Sequence, residues 1–475
     1  MKGFTQWNQT PFTRLSETYK KTLPYVCAIA PFENGFTFEW FDFGSDGEHK
    51  VIVHKYETYD APFEYALTDR RFTITGLDPY CEYEFTVWRS DMSASSSTRL
   101  VRTGRAGLDE GTVVVNYLHP DDESYKISGR YLGSPCIVKL PSGKLLCSMD
   151  LHSRIGGKNH AFIFKSEDNG ETWNYVTELS PCFWGKLFVH RDKLYMLAVA
   201  GEYGDIIIGC SEDEGETWSA PAHIVHGVHR DYGGHKASVP VIEHNGRLYT
   251  AFEYGTWEEY NFYHCLLSID ADADLMKPEN WIFTEPAPVK TGIEGMSQAL
   301  YTVAIEGNAV VLPDDNVYVM LRFDPIHCLK WEINRTLLVK SNPEDLEAPL
   351  TFDRLVDMPA GVRNKFVIYK DPVTGYYFSV CNKWEPGYHC RWFLVLAVSK
   401  DCVNWTDVLT FADARKDVQY GVKGNGYSYP DFTFDGEDII AVSRTAVNKP
   451  HGQHDNNYIT FHRIKNYKQY IPEEH

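Results

Sequence analysis

Six short turns, each set between two apolar strand-like runs, divide the C-terminal three quarters of the chain: Ser142-Gly143, Asp192-Lys193, Asn245-Gly246, Asp314-Asp315, Thr374-Gly375 and Asp435-Gly436. They fall roughly 50 to 70 residues apart, which leaves room in each unit for four strands and their loops. A four-stranded unit repeated six times must bury every sheet face, and the radial stack of a six-bladed β-propeller fits this spacing. No long segment carries a 3.6-residue apolar period, so the expected class is all-β. An aromatic content of 14% suits pleated, half-buried surfaces and faces on which sugars stack.

The N-terminal part reads differently. Strand-like segments such as Phe36-Thr37-Phe38-Glu39-Trp40, Lys50-Val51-Ile52-Val53-His54, Arg71-Phe72-Thr73-Ile74 and Tyr83-Glu84-Phe85-Thr86-Val87-Trp88 lie between about Leu23 and Thr103. Their number and length suit a seven-stranded immunoglobulin-like sandwich. Leu77-Asp78-Pro79-Tyr80-Cys81-Glu82-Tyr83 resembles the Leu-x-Pro-x-x-x-Tyr corner of fibronectin type III domains, whose tyrosine hydroxyl ties the corner to the backbone. The expected layout is an extension over 1–22, a fibronectin type III-like sandwich over 23–105 and the propeller over 106–475. Such a sandwich spaces or braces a neighbouring domain, and no chemistry is assigned to it.

A second repeat sits in the outer half of the units. Ser166-Glu167-Asp168-Asn169-Gly170-Glu171-Thr172-Trp173 returns 45 residues on as Ser211-Glu212-Asp213-Glu214-Gly215-Glu216-Thr217-Trp218. In such a turn Asp and Ser side chains bond backbone amides, Gly takes a positive φ and Trp packs between strands. Ser399-Lys400-Asp401-Cys402-Val403-Asn404-Trp405 is a shortened copy, and Ser268-Ile269-Asp270 followed by Trp281 a copy opened by an insertion. The pattern is similar to the S-x-D-x-G-x-T-W Asp-box (BNR repeat) of sialidase-superfamily propellers. In that superfamily the boxes lie on the face away from the active site.

Charge and cysteine usage exclude several classes. Lys+Arg 46 against Asp+Glu 65 gives a net charge of −19, a field that repels phosphate backbones and makes nucleic acid an unsuitable partner. No stretch approaches 18 apolar residues and the first residues lack a basic-then-apolar leader, so neither membrane insertion nor export is expected and the expected location is cytoplasmic. The 11 cysteines form no C-x-x-C pair and read as buried free thiols. No Gly-rich phosphate loop appears. His451-Gly452-Gln453-His454-Asp455 has no second matched pair of metal ligands, so no metal or other cofactor is expected.

With this strand order, inner-strand starts and the loops between second and third strands meet on one face. The starts are Gly133-Ser134-Pro135, Phe183-Trp184-Gly185, His235-Lys236-Ala237, Glu306-Gly307-Asn308, Arg363-Asn364-Lys365 and Tyr427-Ser428-Tyr429. The loops bring Asp150, His152, His160, Glu202-Tyr203, Glu253-Tyr254, Trp257, Arg322, Asp324, Arg391, Arg444 and His454. Carboxylates, cations and imidazoles mixed in one ring suit cleavage of a glycosidic bond. Arg322, Arg363, Arg391 and Arg444 are the candidates to clamp a sugar carboxylate, while Trp184, Tyr203, Trp257 and His454 line the sugar.

Comparison with sialidases assigns roles. Tyr427-Ser428 followed by Asp435-Gly436 resembles the last-blade pattern that holds the sialidase nucleophilic tyrosine, and Glu306 resembles the glutamate that activates it. The first-blade Y-R-I-P motif is replaced by Gly133-Ser134-Pro135, which removes one arginine of the carboxylate-binding triad. The intervals Trp184 to Gly204 and Asp431 to Arg463 look like a broad group of bacterial sialidase-superfamily proteins. Related propellers include uronate lyases that use histidine, which makes His235, His160 and His152 candidate bases. The expected function is hydrolysis of a terminal glycosidic bond in an acidic glycan. The alternatives are β-elimination from a uronate and glycan binding without turnover, and the expected partner in every case is an oligosaccharide or polysaccharide.

Overall fold

The computed structural model describes residues 23–153, 157–227, 233–290, 292–293, 301–326, 335–360, 364–383 and 391–473. The extension 1–22 lies outside them. Alternation builds the first seven strands: Phe36, Phe38 and Trp40 are buried on one side of Gly35–Phe41, with the less buried Thr37 and Glu39 between them. That strand lies between Tyr25–Phe32 and Arg71–Thr75 in a three-stranded sheet. A four-stranded sheet runs Phe63–Leu67, His49–Lys55, Glu82–Arg89, Arg99–Arg102. Val51, Val53, Phe85 and Val87 of the second sheet share one core with Phe36, Phe38 and Trp40 of the first. At the corner, the Tyr83 hydroxyl accepts the Asp78 N–H at 2.9 Å.

Beyond this, six antiparallel sheets follow one another, here called sheets 1 to 6. Their first strands are Cys136–Lys139, Phe183–His190, Gly233–His235 (resumed as Ile242–His244), Tyr301–Val311, Val367–Lys370 and Gly426–Asp435. Each of the six turns lies between two neighbouring strands of one sheet. The fourth place of sheet 6 is filled by Val113–Tyr117, which pairs with Tyr458–Ile464, so the strand laid down first completes the sheet laid down last. Cys136–Lys139 packs against both Phe183–His190 and Gly426–Asp435, and Val367–Lys370 against Tyr301–Val311 and Gly426–Asp435. A cluster including Trp184, Leu197, Phe252 and Leu267 joins sheets 2 and 3. The stack thus closes and leaves no first or last sheet face in water.

Packing on both faces suppresses the usual strand alternation. In Lys193–Val199 every residue after the lysine is buried, because each inner sheet has a neighbour on either side. The outer hairpins are tied locally. Asp168 Oδ1 accepts from Thr172 N–H at 2.9 Å and Gly170 N–H donates to Ser166 Oγ at 2.8 Å. The second copy repeats these bonds at 2.8 Å each, through Asp213 with Thr217 and Ser211 with Gly215. In the shortened copy Cys402, directly after Asp401, takes a left-handed φ of 62°, as Asn169 at 60° and Glu214 at 59° do after their aspartates, and the glycine that follows in those two is absent. The described cysteines are unbridged and mostly buried, and among the described residues no helix is long and apolar enough to cross a membrane.

Candidate functional site

Three inner strands carry the same irregularity. The ladder skips between Phe183 and Lys186, between Ile305 and Asn308, and between Ser428 and Asp431. In each gap one residue has a positive φ: Trp184 at 51°, Glu306 at 56° and Tyr429 at 52°. A bulge turns its residue out of the pleat, and the left-handed region costs a residue with a Cβ about 1–2 kcal/mol. Three such residues at matching places in alternate sheets re-aim an aromatic, a carboxylate and a phenol. Glycine follows two of them because the neighbours are close: a Cβ on Gly185 would lie 2.4 Å from Met196 Sδ, and one on Gly307 2.5 Å from a Val319 methyl.

Around these residues a continuous set of contacts forms. Glu306 Oε2 accepts from Arg322 at 2.9 Å, and the same guanidinium donates to Asp324 at 2.9 Å. Arg322 also lies in the field of Tyr429. Over the Tyr429 ring stand two further guanidiniums, Arg444 at 3.9 Å and Arg391 at 5.6 Å from its centroid. Arg444 is 0% exposed, donates from Nη2 to Ser134 Oγ at 3.0 Å, and finds no acceptor among the described residues for Nε or Nη1. Asp150 accepts the Trp184 N–H at 2.7 Å, and a Cβ on Gly133 would collide with its other oxygen. Trp184 packs at 4.4 Å on the His235 ring, whose Nδ1 meets Glu253 at 2.9 Å. Glu253 in turn accepts the Gly307 N–H at 3.1 Å, which returns the circuit to the residue beside Glu306.

Burial sets the charge states. It pushes the Asp150 carboxyl up to about 6, against the pull of the Arg444 charge. Burial alone would raise Glu306 too, but the Arg322 charge and His235 hold it below the usual carboxylate range. Burial, with Arg444 and His454 nearby, keeps His152 well below its ordinary value and therefore neutral. Burial also lowers His454 to about 4 despite the Asp455 carboxylate 2.9 Å from its Nδ1. The site is thus a desolvated cluster in which one carboxyl holds its proton up to about pH 6 while another is ionised. Beside it lies a cavity of about 380 Å³ whose lining includes Arg130, Tyr131, Ser153, His451, Asp455 and Asn456.

The structure gathers His235, Glu306, Arg322, Arg391, Arg444, Trp184 and Trp257 around this pocket, with His454 at its edge. Trp257 stands 6.5 Å from the His235 ring, and Tyr203 supports it by accepting its N–H at 3.1 Å. His454 packs 5.9 Å from Tyr429. Two expectations are corrected. Tyr427 is buried in the core shared with the sandwich, its hydroxyl directed at Asp109 at 3.4 Å, and burial beside Asp109 and Asp413 raises that phenol far above its usual value. Tyr429 faces the guanidiniums instead, since the bulge between Ser428 and Asp431 resets which side chain points inward. His160 pairs with Glu178 across sheet 1 and packs on Phe162 at 5.1 Å. Arg363 lies outside the described residues.

Sequence reasoning passed over Tyr429, Asp150 and Glu253 as reacting or supporting groups. The available signal was the shared pattern of Trp184-Gly185-Lys186, Glu306-Gly307-Asn308 and Tyr429-Pro430-Asp431, in which a polar residue follows two places after the one that is turned out. Among the described residues no group of three or more His, Cys, Asp and Glu is placed to hold a metal.

No protein-family model matches the chain, and no curated protein matches it. Among solved structures, an α-L-arabinanase of Penicillium chrysogenum complexed with arabinobiose superposes with a TM-score of 0.50 at 13% identity, covering 74% of this chain and 97% of that one. A Hadza microbial sialidase, Hz136, gives 0.49 at 11% identity over 98% and 94%. Trypanosoma rangeli sialidase in complex with sialic acid gives 0.47 at 14% over 75% and 59%. The chain shares the all-β fold of the arabinanase.

Proposed function

We propose that the protein is a glycoside hydrolase that releases a terminal acidic sugar, using Tyr429 as nucleophile. The observation that carries this is Tyr429 itself, a phenol turned out of its strand beneath two guanidiniums and beside the Arg322–Glu306 pair. A buried guanidinium with two nitrogens unmatched among the described residues favours an anion that completes its fork, and a sugar carboxylate does so. In this mechanism Tyr429 Oη attacks the anomeric carbon and Glu306, kept ionised by Arg322, takes the phenolic proton. Asp150, protonated below about pH 6, gives its proton to the departing oxygen, then removes one from the water that displaces Tyr429 and frees the sugar, while Glu306 returns the phenolic proton. Trp184 and Trp257 offer the apolar faces on which the ring stacks.

The architecture belongs to the same proposal. The six sheets are the blades of a six-bladed propeller over 106–475, and the seven strands of 23–105 are a fibronectin type III-like brace. The 3+4 strand arrangement and the Tyr83 corner support the second part. The repeated Ser-Asp turns, read as Asp-boxes, support the first.

One observation favours a second reading, β-elimination: His235 is buried and oriented by Glu253 in the manner of a general base. The two are separated by incubating the protein with sialosides, glucuronides, galacturonides and arabinofuranosides. Release of a reducing acidic sugar, with Tyr429 labelled by a fluorinated glycosyl fluoride, supports hydrolysis. Ultraviolet absorbance of an unsaturated uronate transfers the assignment to elimination, cleavage of the neutral arabinofuranoside alone removes the acidic-sugar assignment, and binding without product leaves a glycan-binding propeller.

A further inference from the structure

Beneath the bulged residues, the hub where the inner strands meet holds three fully buried lysines: Lys186 at 2% exposure, Lys236 at 0% and Lys365 at 1%. Lys186 Nζ donates to the two carboxylate oxygens of Asp431 at 2.8 and 2.7 Å. Lys365 Nζ donates to the Pro430 carbonyl at 2.8 Å. Lys236 Nζ reaches only the carbonyl of the next residue, Ala237, at 3.3 Å. Each ammonium carries three N–H donors, so these four bonds leave more than half of the donors without an acceptor among the described residues.

The charge balance is equally one-sided. Asp431 is the carboxylate bonded within the layer, and it also accepts the Ile137 N–H at 2.9 Å. Glu253 and Glu306 act on the lysines from above, but they are engaged by His235 and Gly307 and by Arg322. Cys136 is no substitute, because burial raises its thiol to about 11 and leaves it neutral. Burial and the Lys186 charge lower Lys236 to about 7, and burial lowers Lys365 to about 8 although Asp431 is near. Ammonium groups held in low dielectric without a counter-ion are costly, and water supplies an acceptor but no charge.

We propose that the hub binds a monovalent inorganic anion of the halide class between Lys236 and Lys365, at a site distinct from the glycoside pocket above it. Small size and a single charge fit a sealed interior better than an oxyanion, which needs more space and more donors. Such an ion ties the segment after Gly233–His235 of sheet 3 to the segment before Val367–Lys370 of sheet 5, which Lys365 joins to sheet 6 through the Pro430 carbonyl.

The test uses the intact protein. Crystals grown in bromide are measured at the bromine absorption edge, and melting is followed in chloride, bromide and gluconate at equal ionic strength. The expected result is one anomalous peak within hydrogen-bonding distance of Lys236 and Lys365 Nζ. A saturable rise in Tm of roughly 2–4 °C is expected with either halide and not with gluconate. K236M, of similar volume and without charge, is expected to lose both, and K365M serves if that variant does not fold. Water alone at the lysines, with equal melting in all three salts, overturns the proposal. Neither result bears on glycoside cleavage, which is read separately by sugar release.

Discussion

Arg444 donates to Ser134 Oγ at 3.0 Å, joining residues 310 positions apart in the chain. Ser134 stands just before Cys136–Lys139, the first strand of sheet 1. The guanidinium comes from Asp438–Ala446, the second strand of sheet 6. Lysine at 444 keeps the charge and loses the planar fork. Arg444→Lys is expected to lower kcat/KM for acidic glycosides about 100-fold, roughly 3 kcal/mol, and to leave neutral aryl glycosides within a few-fold. Equal losses on both substrates would show that Arg444 does not read the carboxylate.

The two tyrosines of the last inner strand separate chemistry from packing. Tyr429→Phe is expected to reduce kcat by at least about 10³-fold while the fold survives, since only the hydroxyl goes. Tyr427→Phe is expected to leave kcat within a few-fold and to cost about 1 kcal/mol or less in denaturant, because its 3.4 Å contact with Asp109 is long. The opposite ranking in steady-state assays restores Tyr427.

Asp150 gives a pH signature with a defined sign. Its carboxyl is raised from 3.8 to about 6, so the native state binds the proton more tightly than the unfolded chain. Stability from this group is therefore greatest at low pH, falls as pH rises from about 4 to 6 and is level above, by on the order of 2–3 kcal/mol. Asp150→Asn is expected to remove that slope, so its Tm relative to the parent is higher at pH 8 than at pH 4. In kinetics kcat/KM is expected to fall above about pH 6 as the acid loses its proton, and the variant is expected to lack that limb. A parent profile flat to pH 8 assigns the acid elsewhere.

The outer turns are expected to affect stability alone. Asp213 bonds Thr217 N–H at 2.8 Å, Thr217 Oγ1 at 2.6 Å and Ser211 Oγ at 2.9 Å. Asp213→Ala is expected to cost about 1–3 kcal/mol by chemical denaturation with KM unchanged. A KM that moves with it contradicts a site on the opposite face.

His235 decides between the two reactions. In a hydrolase the imidazole is a packed wall, so His235→Gln is expected to retain activity within about tenfold. Loss of more than about 10³-fold, with an unsaturated product from the parent, makes it the base.

Much of the architecture was legible in the sequence because local rules govern it. Turn residues at regular spacing mark hairpins, and Ser166, Asp168 and Gly170 form their turn with partners four residues away at most. Glu306, Arg322, Arg444 and Trp184 were legible because strand starts and return loops on one face of a closed ring meet whatever their distance in the chain. Tyr427 misled because inward and outward positions alternate along a regular strand, and a single bulge reverses the assignment. His160 misled because its strand is third from the axis, where the nearest opposite charge, Glu178, lies in the adjacent outer strand.

By itself the sequence determined the all-β class and the hairpin turns, since both follow from short-range periodicity and turn chemistry. Only the tertiary structure decided which phenol meets the guanidiniums, that Arg444 reaches Ser134, and that Lys186 pairs with Asp431 near two further buried lysines. Those are relations between strands tens to hundreds of residues apart. They depend on bulges and burial, which shift a side chain by one position or a proton by several pH units without leaving a local pattern behind.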